Sequence, residues 1–90
     1  LNRAQFQVRY QNMWQVDLSR YDVVYAFLSP QPMSELWQKV QREMQPGSIF
    51  ISNSFIVPGV EPDEVIELSS GRATALFVWH KKKKNQETAA

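Results

Sequence analysis

Ninety residues, 43% hydrophobic and 21% charged, make one globular domain with a small core and exclude a disordered chain. The absence of cysteine and the single histidine, His80, exclude disulfide staples, thiolate metal sites, thiol nucleophiles and a His-rich zinc site, so no metal is expected. The net charge is +1, with four of the ten basic residues at Lys81 to Lys84; the body before them is slightly acidic, which argues against a nucleic-acid surface.

Residues 1–20 carry two patterns. Phe6, Val8 and Tyr10 alternate with Gln5, Gln7 and Arg9, which is strand periodicity. Phe6, Tyr10, Met13 and Trp14 are also spaced like one helical face. A strand over 5–10 is the stronger reading. Asp17, Ser19 and Asp22 then mark a polar loop. From Val23 to Leu28 the chain is unbrokenly apolar, the signature of a strand buried on both faces, here expected over 21–28. Ser29-Pro30-Gln31-Pro32 ends it, since proline cannot donate to a ladder.

Met33, Leu36, Trp37, Val40 and Met44 form one apolar stripe and predict a helix over 33–45. The spacing of Glu35 and Lys39 adds a favourable pair, and Pro46-Gly47 supplies the stop. Ile49 to Ile51 and Phe55 to Val57, interrupted by Ser52-Asn53-Ser54, read as a second strand over 48–57. Strand, helix and strand at this spacing make a βαβ unit with parallel strands. Strands over 64–69 and 73–80, joined by a turn at Ser69 to Arg72, complete the chain as an antiparallel hairpin. Residues 81–90 read as a basic polar tail beyond a domain of residues 1–80. Glu61, Asp63 and Glu64 read as a solvated loop, with an acidic rim as the competing reading.

One convincing helix covers one face of a few strands. The apolar side chains on the opposite face therefore lack a partner, unless residues 1–20, a second copy or a further part of the protein covers them. No apolar run approaches the roughly 20 residues of a membrane span, and the start has no signal-peptide shape. Together with the lack of cysteine this leads to an expectation of a cytoplasmic location. Leu1 is not an initiator methionine and reads as an interior point of a longer gene product. Ligands of open α/β sheets sit beyond the carboxyl ends of the strands. That directs attention to three loops: Gln11 to Trp14, Phe27 to Pro32 and Asn53 to Gly59.

Tyr21-Asp22-Val23-Val24-Tyr25-Ala26-Phe27-Leu28 and the segment Leu36 to Ser52, with its Pro46-Gly47 turn before Ile49-Phe50-Ile51-Ser52, together resemble one half of a known family. The chain is similar to the C-terminal half of class I S-adenosylmethionine-dependent methyltransferases, over roughly residues 5–80, and within them to protein-lysine methyltransferases without a SET domain. The resemblance implies an α/β fold with a partial Rossmann-like sheet. Its fourth strand, following helix and fifth strand would be the βαβ unit, and the hairpin its sixth and seventh strands, with the seventh between the fifth and sixth. It also implies S-adenosylmethionine as cofactor and an amine of a protein or small molecule as methyl acceptor.

The family's glycine-rich turn and ribose-binding acid have no counterpart here. Gly47, Gly59 and Gly71 are the only glycines, and none lies in such a turn. The chain alone is therefore expected to bind the cofactor poorly and to be inactive. Carried over by resemblance, Asn12 would accept from the adenine amino group and Met13 would pack on the ring, with Tyr25 and Ala26 also on the cofactor side. An ordinary turn with Met13 and Trp14 in the core is the competing reading. Phe27, Leu28, Ser29 and Pro30 stand where the family's strand tip borders the reacting methyl. The family's Asn or Asp is missing there, while the proline persists. The alternative function is a non-catalytic interaction module. In the family the first and second strands separate the third from the fourth, so without them the fourth strand would present a bare edge. Either the missing N-terminal half or a second copy is the expected partner, the latter through that edge or by exchange of residues 1–20.

Overall fold

The computed structural model describes residues 4–70 and 72–81. Strands β1 (Gln5–Val8), β2 (Val23–Ala26), β3 (Ile49–Asn53), β4 (Glu64–Ser70) and β5 (Arg72–His80) form one five-stranded sheet in the order β1-β2-β3-β5-β4. One helix, α1 (Pro30–Glu43), connects β2 to β3, and two 3-10 turns (Tyr10–Asn12 and Leu18–Arg20) connect β1 to β2. β1, β2 and β3 are parallel, while β5 runs antiparallel to both β3 and β4. The expected βαβ unit and hairpin are both present, and β5 lies between β3 and β4 as the resemblance implies. Of the tail, Lys82 to Ala90 fall outside the described residues, as does Gly71 in the expected turn.

Element ends depart from expectation for local reasons. α1 starts at Pro30 rather than Met33. Its first amide would have no intrahelical partner, so proline there costs nothing and presets φ. β3 stops at Asn53 because Ser54 takes φ 72, a left-handed conformation that no ladder continues. Gly47, at φ 91, makes the turn between α1 and β3, and its N–H donates to the Lys81 carbonyl at 2.9 Å. Asp22 ties the parallel strands at their starts. Its backbone N–H donates to the Ala4 carbonyl, and its own carbonyl accepts from Ile49, both at 2.8 Å.

One result contradicts the expected topology. β2 has no bare edge, because β1 pairs with it directly in register, Gln5 beside Val23 through Val8 beside Ala26. An edge of unpaired amides is costly to leave open, and β1 satisfies it where the family would place its own first strand. The edge expected to recruit a second copy is thus closed, and the sheet's edges are β1 and β4.

The register sorts side chains onto two faces. Val8, Val24, Ala26, Phe50 and Trp79 share the face under α1, where they join Met33, Leu36, Val40 and Met44 in one buried core. Met13 and Leu18, from the β1–β2 connection, enter that same core. Residues 10–20 therefore do not fold over the other face. Val23, Tyr25, Ile49 and Ile51 on that face stay half-buried, and no described helix lies on it. Among the described residues, no helix is long and apolar enough to cross a membrane.

Candidate functional site at the strand tips

Because β1, β2 and β3 are parallel, their carboxyl ends fall together at one side of the sheet. The loops after them carry the three segments singled out from the sequence. β2 delivers Phe27, which is 58% exposed. β3 delivers Phe55, whose ring stacks on that of Phe27 with centroids 6.0 Å apart and planes 28° from parallel. Beside them, Asn53 Nδ2 donates to Tyr25 Oη at 2.6 Å, and Ser54 Oγ donates to Asn53 Oδ1 at 2.6 Å. Ser52, fully buried, donates its hydroxyl to the Phe55 carbonyl and so fastens the loop to the end of β3.

Of the four residues expected at the reacting centre, Phe27 alone offers a large exposed side chain. Leu28 belongs to the core. Ser29 is the N-cap of α1, yet its side chain makes no capping bond; its carbonyl accepts from Met33 N at 3.1 Å. Pro30 opens the helix. Four residues expected on the cofactor side are dispersed. Asn12 Oδ1 accepts from Arg9 N at 2.9 Å, closing the first 3-10 turn. Met13 and Ala26 are both 0% exposed. Their side chains belong to the core. Trp14, by contrast, points outward at 56% exposure, so the competing reading of that turn holds for Met13 and fails for Trp14. Tyr25 is half-buried, and its hydroxyl accepts from Asn53 Nδ2.

The residues present do not make a complete nucleoside site. Gly47 leads into β3 and Gly59 into a loop, so neither sits in a turn that opens a helix after a strand. The described residues supply no glycine cradle for a cofactor. The cluster of Tyr25, Phe27, Asn53, Ser54 and Phe55 is uncharged.

Perturbed carboxylates lie elsewhere and hold structure. Burial raises the pKa of Glu43, but hydrogen bonds from Lys39 Nζ and Leu18 N outweigh it and leave the carboxyl below its ordinary value. Bonds from the Ser19 hydroxyl and amide do the same for exposed Asp17. Nor do Asp63 and Glu64 form a rim at the tips. Asp63 accepts from His80 N at 2.7 Å, and Glu64 meets the His80 ring at 2.6 Å, beside the start of β3, where His80 pairs with Ile49. No described group of three or more His, Asp and Glu side chains is placed to hold a metal ion.

Sequence reasoning located the loop after β3 but assigned none of its residues. Asn53, Ser54 and Phe55 meet Tyr25 and Phe27 only through the β2–β3 register, which no local pattern encodes. An aromatic directly after a polar break in an apolar strand was the available signal.

Comparison with known proteins places this geometry in a wider set. A model of the ANTKMT methyltransferase domain matches residues 2–64, well over half of the chain. A protein-lysine N-methyltransferase of Saccharolobus islandicus (strain REY15A) is 35% identical over 60 residues, covering 67% of this chain and 37% of that protein. An RNA methyltransferase from Salinibacter ruber, solved in complex with S-adenosyl-L-homocysteine, superposes with a TM-score of 0.70 at 21% identity, over 79% of this chain and 44% of that one. That likeness is one of fold. The chain spans less than half the length of either protein.

Proposed function

The chain belongs to the ANTKMT methyltransferase domain family, and on that premise we propose that it supplies the acceptor side of an enzyme that methylates the ε-amine of protein lysines, with S-adenosylmethionine as methyl donor. One observation carries the reading: the parallel strands β2 and β3 bring Phe27 to Pro30 and Asn53 to Phe55 together at their carboxyl ends, where open α/β sheets hold their ligands. The lysine assignment is supported by the similarity to the protein-lysine N-methyltransferase of Saccharolobus islandicus.

The residues take distinct parts. Phe27 faces the acceptor. Ser29 and Pro30 fix the turn into α1 and so the height of the Phe27 ring. Asn12, in the loop after β1, is offered to the cofactor's adenine, with Tyr25 and Ala26 on the same side. Methyl transfer to an amine needs alignment and exclusion of water more than acid–base residues. An uncharged tip is consistent with that need, since a fixed carboxylate would hold the amine protonated and non-nucleophilic.

The test is label transfer. The protein as its gene encodes it, incubated with methyl-labelled S-adenosylmethionine and lysine-bearing protein substrates, should place label on lysine ε-nitrogens, read by peptide mass spectrometry. Label found only on RNA, or on no acceptor in a protein shown by calorimetry to bind the cofactor, rejects the lysine reading.

A further inference from the structure

An aromatic ring left half in water by a fold this small is costly, because an exposed phenyl forgoes hydrophobic stabilisation that the core would return. Phe27 is such a ring, at 58% exposure, and it is not loose. Phe55 backs it at 6.0 Å, and the hydroxyl of Ser52 in turn fastens the Phe55 carbonyl. The next element of the tip is equally fixed. Both ends of the Asn53 amide are engaged, Nδ2 with Tyr25 Oη and Oδ1 with Ser54 Oγ. Ser54 holds φ 72, a conformation that a residue with a Cβ adopts at a cost. A fixed aromatic partner thus backs one exposed ring, and the neighbouring hydrogen-bonded groups Tyr25, Asn53 and Ser54 are neutral.

We infer that the outer face of Phe27 is the binding surface for the acceptor's alkylammonium head as it arrives, before the amine gives its proton to water and takes the methyl, and that Phe55, Asn53 and Tyr25 position it; this rests on the lysine-methylating reading above. Centroids 6.0 Å apart leave no room for a cation between the two rings. The ammonium group therefore sits on the solvent side of Phe27, with Phe55 as its support. A cation over a ring face is held by the ring quadrupole, and more strongly as water is removed. Each added methyl makes the ammonium less hydrated, so the surface favours methylated lysine over unmodified lysine. Where the resembled family has an amide or carboxylate at the strand tip, this chain recognises the nitrogen through an aromatic face. The Tyr25–Asn53–Ser54 chain of hydrogen bonds fixes the Tyr25 hydroxyl beside the strand tip, where its proton remains free to be donated.

Two probes test this in the protein as its gene encodes it: tetramethylammonium, and a short peptide carrying Nε-trimethyllysine. Proton NMR should show the N-methyl signals moved upfield by ring currents, with the trimethylated peptide bound more tightly than its unmodified counterpart. Phe27→Leu, which keeps apolar bulk and removes the π face, should weaken both probes by about tenfold. Phe55→Ala should weaken them less, and Asn53→Ala should lower peptide affinity without abolishing the ring-current shift. Calorimetric affinity for S-adenosylhomocysteine should stay unchanged in Phe27→Leu. Wild-type affinity for both probes in Phe27→Leu, with melting temperature retained, overturns the inference even if lysine methylation is observed. Phe27-dependent probe binding in a protein that methylates no lysine leaves the ammonium site standing and removes the enzymatic reading instead.

Discussion

Glu43 shows how much one side chain can organise in a chain of this size. Its two oxygens join α1 to the β1–β2 connection: Oε1 accepts from Leu18 N at 3.0 Å, and Oε2 pairs with Lys39 Nζ at 2.8 Å. Lys39 is itself buried, so removing Glu43 strands both a cation and an amide. Glu43→Ala should cost about 2 kcal/mol in urea unfolding. The pH dependence follows from the sign of the shift. The folded carboxyl titrates below its ordinary 4.5. Its contribution is therefore complete above that value and is lost as pH falls through the lower folded value. Wild-type stability should decline in that acid window, and Glu43→Gln should decline less; parallel curves would show that the pair contributes nothing. None of this was legible in the sequence, which showed Glu43 only as a polar position after the apolar stripe. The residues of the candidate site divide in the same way. Phe27 to Pro30 were legible because a proline ends an apolar run there, whereas the partners of Phe27 and Tyr25 depend on a register between distant segments.

At the scale of elements, periodicity was informative where one pattern ruled. The stripe from Met33 to Met44 gave α1, and its start was misplaced only because proline is equally at home in a loop and at a first helical position. Residues 5–14 showed two patterns because they contain two structures: β1 and then a 3-10 turn that buries Met13. α1 docks on the sheet through an aromatic group, with Trp79 centroids 5.6 Å from Trp37 and 5.7 Å from Phe50. Among the described residues, the buried indole N–H of Trp79 has no hydrogen-bond partner. An unpaired buried donor lowers stability, so Trp79→Phe should change unfolding free energy by less than about 1 kcal/mol, the lost volume offset by the lost donor. Trp79→Ala should cost about 3–5 kcal/mol. A large loss in Trp79→Phe would mean that the N–H is satisfied in solution.

For the whole molecule, the governing fact is that, among the described residues, the sheet has α1 on one face and no helix on the other. The apolar runs of β2 and β3 led to an expectation of burial on both faces, yet α1 and the β1–β2 connection both lie on one. The single amphipathic helix pointed to this in the sequence, but which strand residues face it was not legible, because alternate residues of these strands are alike apolar. Neighbours on β3 provide the contrast. Phe50, 2% exposed, faces the core, and Ile51 faces a hollow of about 430 Å³ bordered by Val23 and Tyr25. Phe50→Ala should cost about 3–5 kcal/mol, and Ile51→Thr less than about 1 kcal/mol. Comparable losses at both positions would show that a second layer covers the sheet in solution. The same topology sets where function resides, since three parallel strands direct their loops to a single end of the sheet.

Hydrogen–deuterium exchange of the protein as its gene encodes it, with and without S-adenosylhomocysteine and a lysine-bearing peptide, tests that placement most directly. Backbone amides of residues 9–14, 27–30 and 53–56 should gain protection, while those beside His80 and Asp63 at the other end of the sheet should not change. Protection confined to the His80 end, with the loops after β1, β2 and β3 unaffected, would contradict a strand-tip site.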